Sequence, residues 1–120
     1  MARSGRQEML GKWGEQQAAA FLRRQGFTII ERNYFSPVGE IDLVARIGQD
    51  YYFVEVKTRQ PGAMATDLAV TLSKKRKLEK TIKRYCYQRN ILDYGLILAS
   101  LMVVVDRAKK TIQFRLAVIH

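Results

Sequence analysis

The sequence predicts an α/β domain of element order αβββαββ. Two stretches with apolar residues at helical spacing flank three runs of β-forming residues, and two further β-forming runs close the chain. Turns rich in Gly, Pro, Ser or Asp separate the runs.

The first helix is expected over Glu8–Gln25, where Leu10, Trp13, Ala18, Phe21 and Leu22 recur near every third or fourth position. Arg23 and Arg24 suit the negative end of its dipole, and Gly26 enters the left-handed region that caps a helix. Residues 1–7 are polar and basic and are expected to form a flexible lead-in. Phe27–Tyr34 reads as the first strand, and Ser36-Pro37-Val38-Gly39 as a turn. Glu40–Ile47 alternates and reads as a second strand, joined through Gly48-Gln49-Asp50 to a third at Tyr51–Thr58. Pro61-Gly62 opens a loop that reaches about Leu72. The second helix follows over Ser73–Arg89, with Leu78, Ile82, Tyr85 and Cys86 as its buried stripe. Gly95–Val105 is apolar on both faces, as a central strand must be, and at 11 residues it is too short to span a bilayer. Asp106–Lys110 is a polar turn before a last strand at Thr111–Val118. No repeat, linker or low-complexity segment interrupts the pattern, so residues 1–120 read as one domain.

Composition narrows the function. With 48% hydrophobic residues the chain can bury a core, while 21 Lys and Arg against 11 Asp and Glu leave a net charge of +10. Such a surplus favours a polyanion, because each phosphate contact releases a condensed counterion. A single cysteine, Cys86, excludes an internal disulfide, and one His with one Cys excludes a zinc-finger ligand set. These counts suit a reducing cytoplasm, and the first 20 residues carry no signal-peptide run.

Two acids stand where acids are disfavoured, within strands. Asp42 lies in Gly39-Glu40-Ile41-Asp42-Leu43, and Glu55 in Phe53-Val54-Glu55-Val56-Lys57. Alternation places Glu55 and Lys57 on one face and Val54 and Val56 on the other. The pairing midpoint of Asp42 and Glu55 falls between Gly48 and Gln49, at the expected turn, so a hairpin brings the two acids together. Paired carboxylates are hard oxygen ligands suited to Mg²⁺ or Mn²⁺, which lowers the pKa of a bound water. Lys57 beside them suits orienting that water or stabilising charge on a phosphorane. Glu15, on the rim of the first helix, is a third acid, and Glu40 shares the strand face of Asp42. A Glu and a Lys two apart on a strand also suit a merely solvated face.

Gly14-Glu15, Gly39-Glu40-Ile41-Asp42-Leu43 and Phe53-Val54-Glu55-Val56-Lys57-Thr58-Arg59 together resemble the bacterial YraN family. That family is similar to archaeal Holliday-junction resolvases within the PD-(D/E)xK nuclease superfamily. The resemblance spans about Gly11 to Tyr85. It implies a restriction-endonuclease-like core, a mixed central sheet flanked by helices, and metal-assisted phosphodiester hydrolysis. It further implies that Glu15, Asp42 and Glu55 are metal-site acids, that the backbone carbonyl of Val56 is a ligand, and that Lys57 is the catalytic lysine. Ile41 stands where the superfamily's name has proline. Lys74-Lys75 replaces the Lys-Gln of relatives, and Asp93-Tyr94-Gly95 their Arg-Phe-Asp strand.

The second helix carries Lys74, Lys75, Arg76, Lys77, Lys80, Lys83, Arg84 and Arg89 against Glu79 alone. Like charges at these spacings oppose a helix, and phosphates would neutralise them. Lys74, Lys75, Lys77, Lys80, Lys83, Arg84 and Arg59 are the expected nucleic-acid contacts, with Arg3, Arg6, Lys12 and Arg46 widening the patch. Tyr51 and Tyr52 suit core or edge packing better than base stacking.

Two functional readings result. One is a Mg²⁺-dependent endonuclease acting on branched or structured DNA. The other is a nucleic-acid-binding module that keeps the nuclease fold without turnover. DNA is expected over RNA, no small-molecule cofactor is implied, and the analogy with resolvases suggests a homodimer. An anionic-membrane partner ranks below both readings, since no separate amphipathic membrane helix is present in the pattern.

Overall fold

The computed structural model describes residues 5–62, 72–91 and 94–119, with residues 5–9 as backbone only. Its elements are α1 (Gly5–Arg24), β1 (Thr28–Phe35), β2 (Glu40–Ile47), β3 (Asp50–Arg59), α2 (Leu72–Arg89), β4 (Gly95–Asp106) and β5 (Thr111–Val118). The five strands form one mixed sheet in sequence order, β1-β2-β3-β4-β5. Among the described residues this is the predicted α/β order, a mixed sheet with two helices consistent with a restriction-endonuclease-like core. Helix α1 starts three residues before the expected Glu8, so Gly5-Arg6-Gln7 continues the helix instead of leading into it. Residues 1–4 and 63–71 lie outside the described residues, and with them Arg3 and most of the expected Pro61–Leu72 loop; the Arg6 side chain does too.

Helix α1 ends as its sequence requires. Gly26, at φ 97°, donates to the Arg23 carbonyl at 3.0 Å, and Phe27 donates to the Leu22 carbonyl at 3.0 Å. These two bonds satisfy carbonyls that the last turn would otherwise leave without partners, and a side chain at Gly26 would strain that cap.

β1, β2 and β3 pair antiparallel, β3 and β4 parallel, and β4 and β5 antiparallel. The parallel step needs a long crossover, which α2 supplies. Each helix covers one face of the sheet. Ala18, Ala19 and Leu22 of α1 pack on Leu43, Ala45, Val54, Ala99, Leu101 and Val103. Four alanines in that layer let helix and sheet approach closely. Ile82, Tyr85 and Cys86 of α2 pack on Tyr34, Ile41, Val44, Tyr51 and Phe53, with Leu78 at the margin, which is the expected stripe. Leu10 departs from the expected α1 stripe: it is 39% exposed. Among the described residues, no helix is long and apolar enough to cross a membrane.

Candidate functional site

The β2–β3 hairpin turns at Gly48-Gln49 with Ile47 opposite Asp50, and its register continues as far as Leu43 opposite Val54. There the ladder stops. The next pair would be Asp42 and Glu55. Instead of completing the ladder, the Asp42 side chain itself accepts the Val56 amide N–H, at 2.8 Å. Beyond this point β3 pairs with β4 only, through Arg59 opposite Val104. The β2-facing edge of Glu55–Arg59 therefore opens a notch in the sheet.

The same point is where strand alternation breaks. Leu43 and Ala45 pack beneath α1, while Val44 and Ile41 pack beneath α2. Strict alternation would place Ile41 with Leu43, so β2 changes phase at Asp42. β1 changes phase with it. Arg32 lies opposite Leu43 and Tyr34 opposite Ile41, and Asn33 between them is left-handed at φ 54°. Asn tolerates that conformation better than most side chains. Asp42 thus belongs to neither apolar layer and is half-buried between them.

Two clefts meet at this notch, and Glu40, Asp42 and Glu55 line both. One, about 580 Å³, is bounded by Leu10, Gly11 and Glu15 of α1 and by Val56, Lys57, Thr58 and Arg59. The other, about 500 Å³, runs between the Phe35–Gly39 turn and Lys74, Lys77, Leu78 and Thr81 of α2. Glu15, Asp42, Glu55 and Lys57, the four residues singled out from sequence, all line the first of these clefts.

Gly14 explains how Glu15 reaches the site. A Cβ at Gly14 would fall on the Thr58 hydroxyl, so the absence of one lets α1 lie against the open half of β3. Gly39 plays a similar part on the other side, since a Cβ there would come within 2.7 Å of the Thr81 hydroxyl oxygen. The packing of Gly14 and Gly39 escapes sequence reasoning, because a glycine in a helix or turn serves equally well as a bend, a cap or a tight corner. A glycine directly before two of the four acids, Gly14-Glu15 and Gly39-Glu40, is the signal that was present.

The acids act on one another. The Asp42 carboxyl is pushed up to about 7, first by burial and then by the negative charges of Glu15, Glu40 and Glu55, against the opposing Val56 hydrogen bond. Glu40 therefore bears on Asp42 electrostatically, although the strand-face argument left its part open. Among the described residues, however, no three His, Cys, Asp or Glu side chains gather closely enough to hold an ion between them.

Of the expected nucleic-acid contacts, Lys74, Lys77, Lys80, Lys83 and Arg84 are exposed on α2, and Lys75 and Arg59 are half-buried. Two other arginines are engaged in the fold. Arg89 makes a two-pronged ion pair with Glu31, at 3.0 and 2.8 Å, and lies over the Tyr34 and Tyr85 rings. Arg46 donates to the Gly48 carbonyl at 3.0 Å and lies over Tyr51 and Tyr94, at the hairpin end of the sheet. It does not widen the patch at the notch. Tyr51 is buried beneath α2 and Tyr52 meets Phe27 edge to face, as core packing predicts.

Comparison with known proteins places the chain. The model of the Uncharacterised protein family UPF0102 matches residues 14–119. A UPF0102 protein of Desulfitobacterium hafniense (strain Y51) is 31% identical over 102 residues, 84% of each chain. One from Syntrophotalea carbinolica is 43% identical over 83 residues, 68% of each chain. A third, from Geobacter sulfurreducens, is 42% identical over 87 residues, 72% of this chain and 68% of the relative. The matched region holds Glu15, Asp42, Glu55 and Lys57 and the strands that frame them, and the chain belongs to the UPF0102 family, the YraN family its motifs resemble.

Proposed function

We propose that this protein is a divalent-metal-dependent endonuclease acting on structured or branched DNA. The observation that carries the reading is the shared cleft. Glu15, Asp42, Glu55 and Lys57 line one opening in the sheet, and the adjoining cleft is walled by Lys74 and Lys77. Acids at the floor and lysines at the wall suit a substrate that is itself an anion and needs a cation to approach carboxylates.

The donor chemistry fits a hard divalent ion. Asp42 is held near 7 by burial and by neighbouring negative charges that oppose its ionisation, and a cation relieves that repulsion. Asp42 and Glu55 would hold Mg²⁺ or Mn²⁺, with the Val56 carbonyl and, through water, Glu15. Such an ion polarises a phosphate and supplies hydroxide at neutral pH. The chain's own residues do the rest. Val56 N–H orients the Asp42 carboxylate. Lys57 offers positive charge where a phosphorane would gain negative charge. Lys74 and Lys77 bind the flanking backbone, and Lys80, Lys83 and Arg84 extend that track along α2.

The test is nicking of branched DNA with and without Mg²⁺. Asp42→Asn and Glu55→Gln should abolish cleavage while keeping DNA binding, and Lys57→Ala should lose cleavage with less effect on metal affinity. Cleavage that persists equally in Asp42→Asn and Glu55→Gln would refute the site.

A second reading, a binding module without turnover, is favoured by one observation: no three acids among the described residues converge on a point. It predicts salt-steep DNA binding with no response to metal and no cleavage of any DNA.

A further inference from the structure

Phe35 ends β1 with 70% of its surface exposed. A lone exposed apolar residue is ordinary. Its position is not. It lies directly opposite Glu40 across the β1–β2 hairpin, and it lines the same cleft as Asp42, Glu55, Lys74 and Lys77. Among the described residues Phe35 joins none of the ring pairs made by Phe21, Phe27, Phe53 and the tyrosines.

The turn that follows Phe35 is tied down. Ser36 N–H donates to the Gly39 carbonyl at 2.9 Å, and Gly39 N–H donates to the Ser36 carbonyl at 3.2 Å. The Ser36 hydroxyl donates to the Gly39 carbonyl at 3.0 Å and accepts from the Val38 N–H at 3.2 Å. Gly39 then seats the turn against Thr81 of α2. Phe35 is thus an aromatic ring on a braced mount, with lysines across the cleft and acids at its base.

That combination selects a ligand chemistry. Lysines attract phosphates, and an aromatic face beside them gains most from a nucleobase whose own face is uncovered. Bases within a duplex are already stacked on their neighbours, so a ring at this position engages them only where stacking is broken. We propose that Phe35 is the stacking platform for an unpaired base, so that the DNA accepted here carries an unpaired or splayed nucleotide next to the phosphate held over Asp42 and Glu55. The inference rests on the reading of this notch as a site for DNA, and it names the structural class of that DNA.

The experiment measures binding by fluorescence anisotropy in EDTA, where cleavage plays no part. Two DNAs of equal length and sequence are compared, one fully paired and one with a short single-stranded gap. The wild-type protein should prefer the gapped DNA by about tenfold, the scale of one base–aromatic stack. Phe35→Ala should erase most of that preference while leaving affinity for the paired duplex within about twofold, and Phe35→Trp should restore it. A 2-aminopurine in the gap should change its fluorescence on binding wild-type protein and Phe35→Trp but not Phe35→Ala. An unchanged preference in Phe35→Ala, or an equal loss on both DNAs, overturns the stacking role while leaving the DNA reading intact. Failure of wild-type protein to bind either DNA, in EDTA and again with Ca²⁺ in its place, overturns that reading, and the inference with it.

Discussion

The two halves of β3 are built from one continuous strand yet serve opposite ends. Asp50–Val54 is paired on both edges, with β2 on one side and β4 on the other. It contributes Tyr51, Phe53 and Val54 to the two apolar layers. Glu55–Arg59 keeps only its β4 ladder, and its other edge faces the clefts. The first half is a place where backbone groups satisfy one another. The second is a place where a side chain, Asp42, has taken over a ladder position and backbone edge is left for other uses. A sheet can therefore open a cleft without a separate loop, by ending one ladder early while the next continues.

The contrast is broken most severely by truncating the core half. Phe53 is fully buried and meets Tyr85 edge to face, with centroids 5.8 Å apart. Phe53→Ala should cost about 3–5 kcal/mol in urea unfolding, a large share of the stability of a domain this size. Glu55→Gln, two residues away, should lie within about 0.5 kcal/mol of wild type, because it removes charge and leaves a hydrogen-bonding group of similar shape. Comparable losses in the two variants would mean that the halves are not energetically distinct.

A smaller effect sharpens the comparison from the helix side. Gly14→Ala puts a methyl on the Thr58 hydroxyl and should cost about 1–3 kcal/mol by forcing α1 away from the open half of β3. Adding Thr58→Ala removes the oxygen but leaves the residue 58 Cβ at 3.2 Å, so the double variant should recover part of the loss, not all of it. Full additivity in the double-mutant cycle would show that the two residues do not meet.

The last test of the comparison concerns pH. The folded-state pKa of Asp42 is about 7, above its ordinary 3.8. Its contribution to stability is therefore complete below about pH 4 and is lost as pH rises through about 7, where the folded protein must carry the charge. Asp42→Asn keeps a carbonyl for the Val56 N–H and has no proton to lose. Its melting temperature should match wild type below about pH 4 and clearly exceed it at about pH 8, measured in EDTA at low salt. Equal melting temperatures at both pH values would show that burial and the surrounding acids do not press on Asp42.

The amino-acid sequence by itself determined the element order, the Gly26 cap, the Gly48-Gln49 hairpin register and the grouping of Asp42, Glu55 and Lys57. Each depends on local chemistry: apolar spacing, a left-handed glycine, or a count of residues about a turn. Only the tertiary structure decided where the β2–β3 ladder ends, that β1 and β2 change phase together at Asn33 and Asp42, and that Gly14 lets α1 bring Glu15 to the cleft. It also decided that Arg46 and Arg89 belong to the fold, and that Phe35 is exposed at the cleft while Tyr51 lies in the core. These features arise between segments distant in sequence. A paired phase change preserves register, and strict period-two reasoning carries straight through it. Exposure of one ring and burial of another depend on which helix crosses which face, and no single stretch of the chain contains that information.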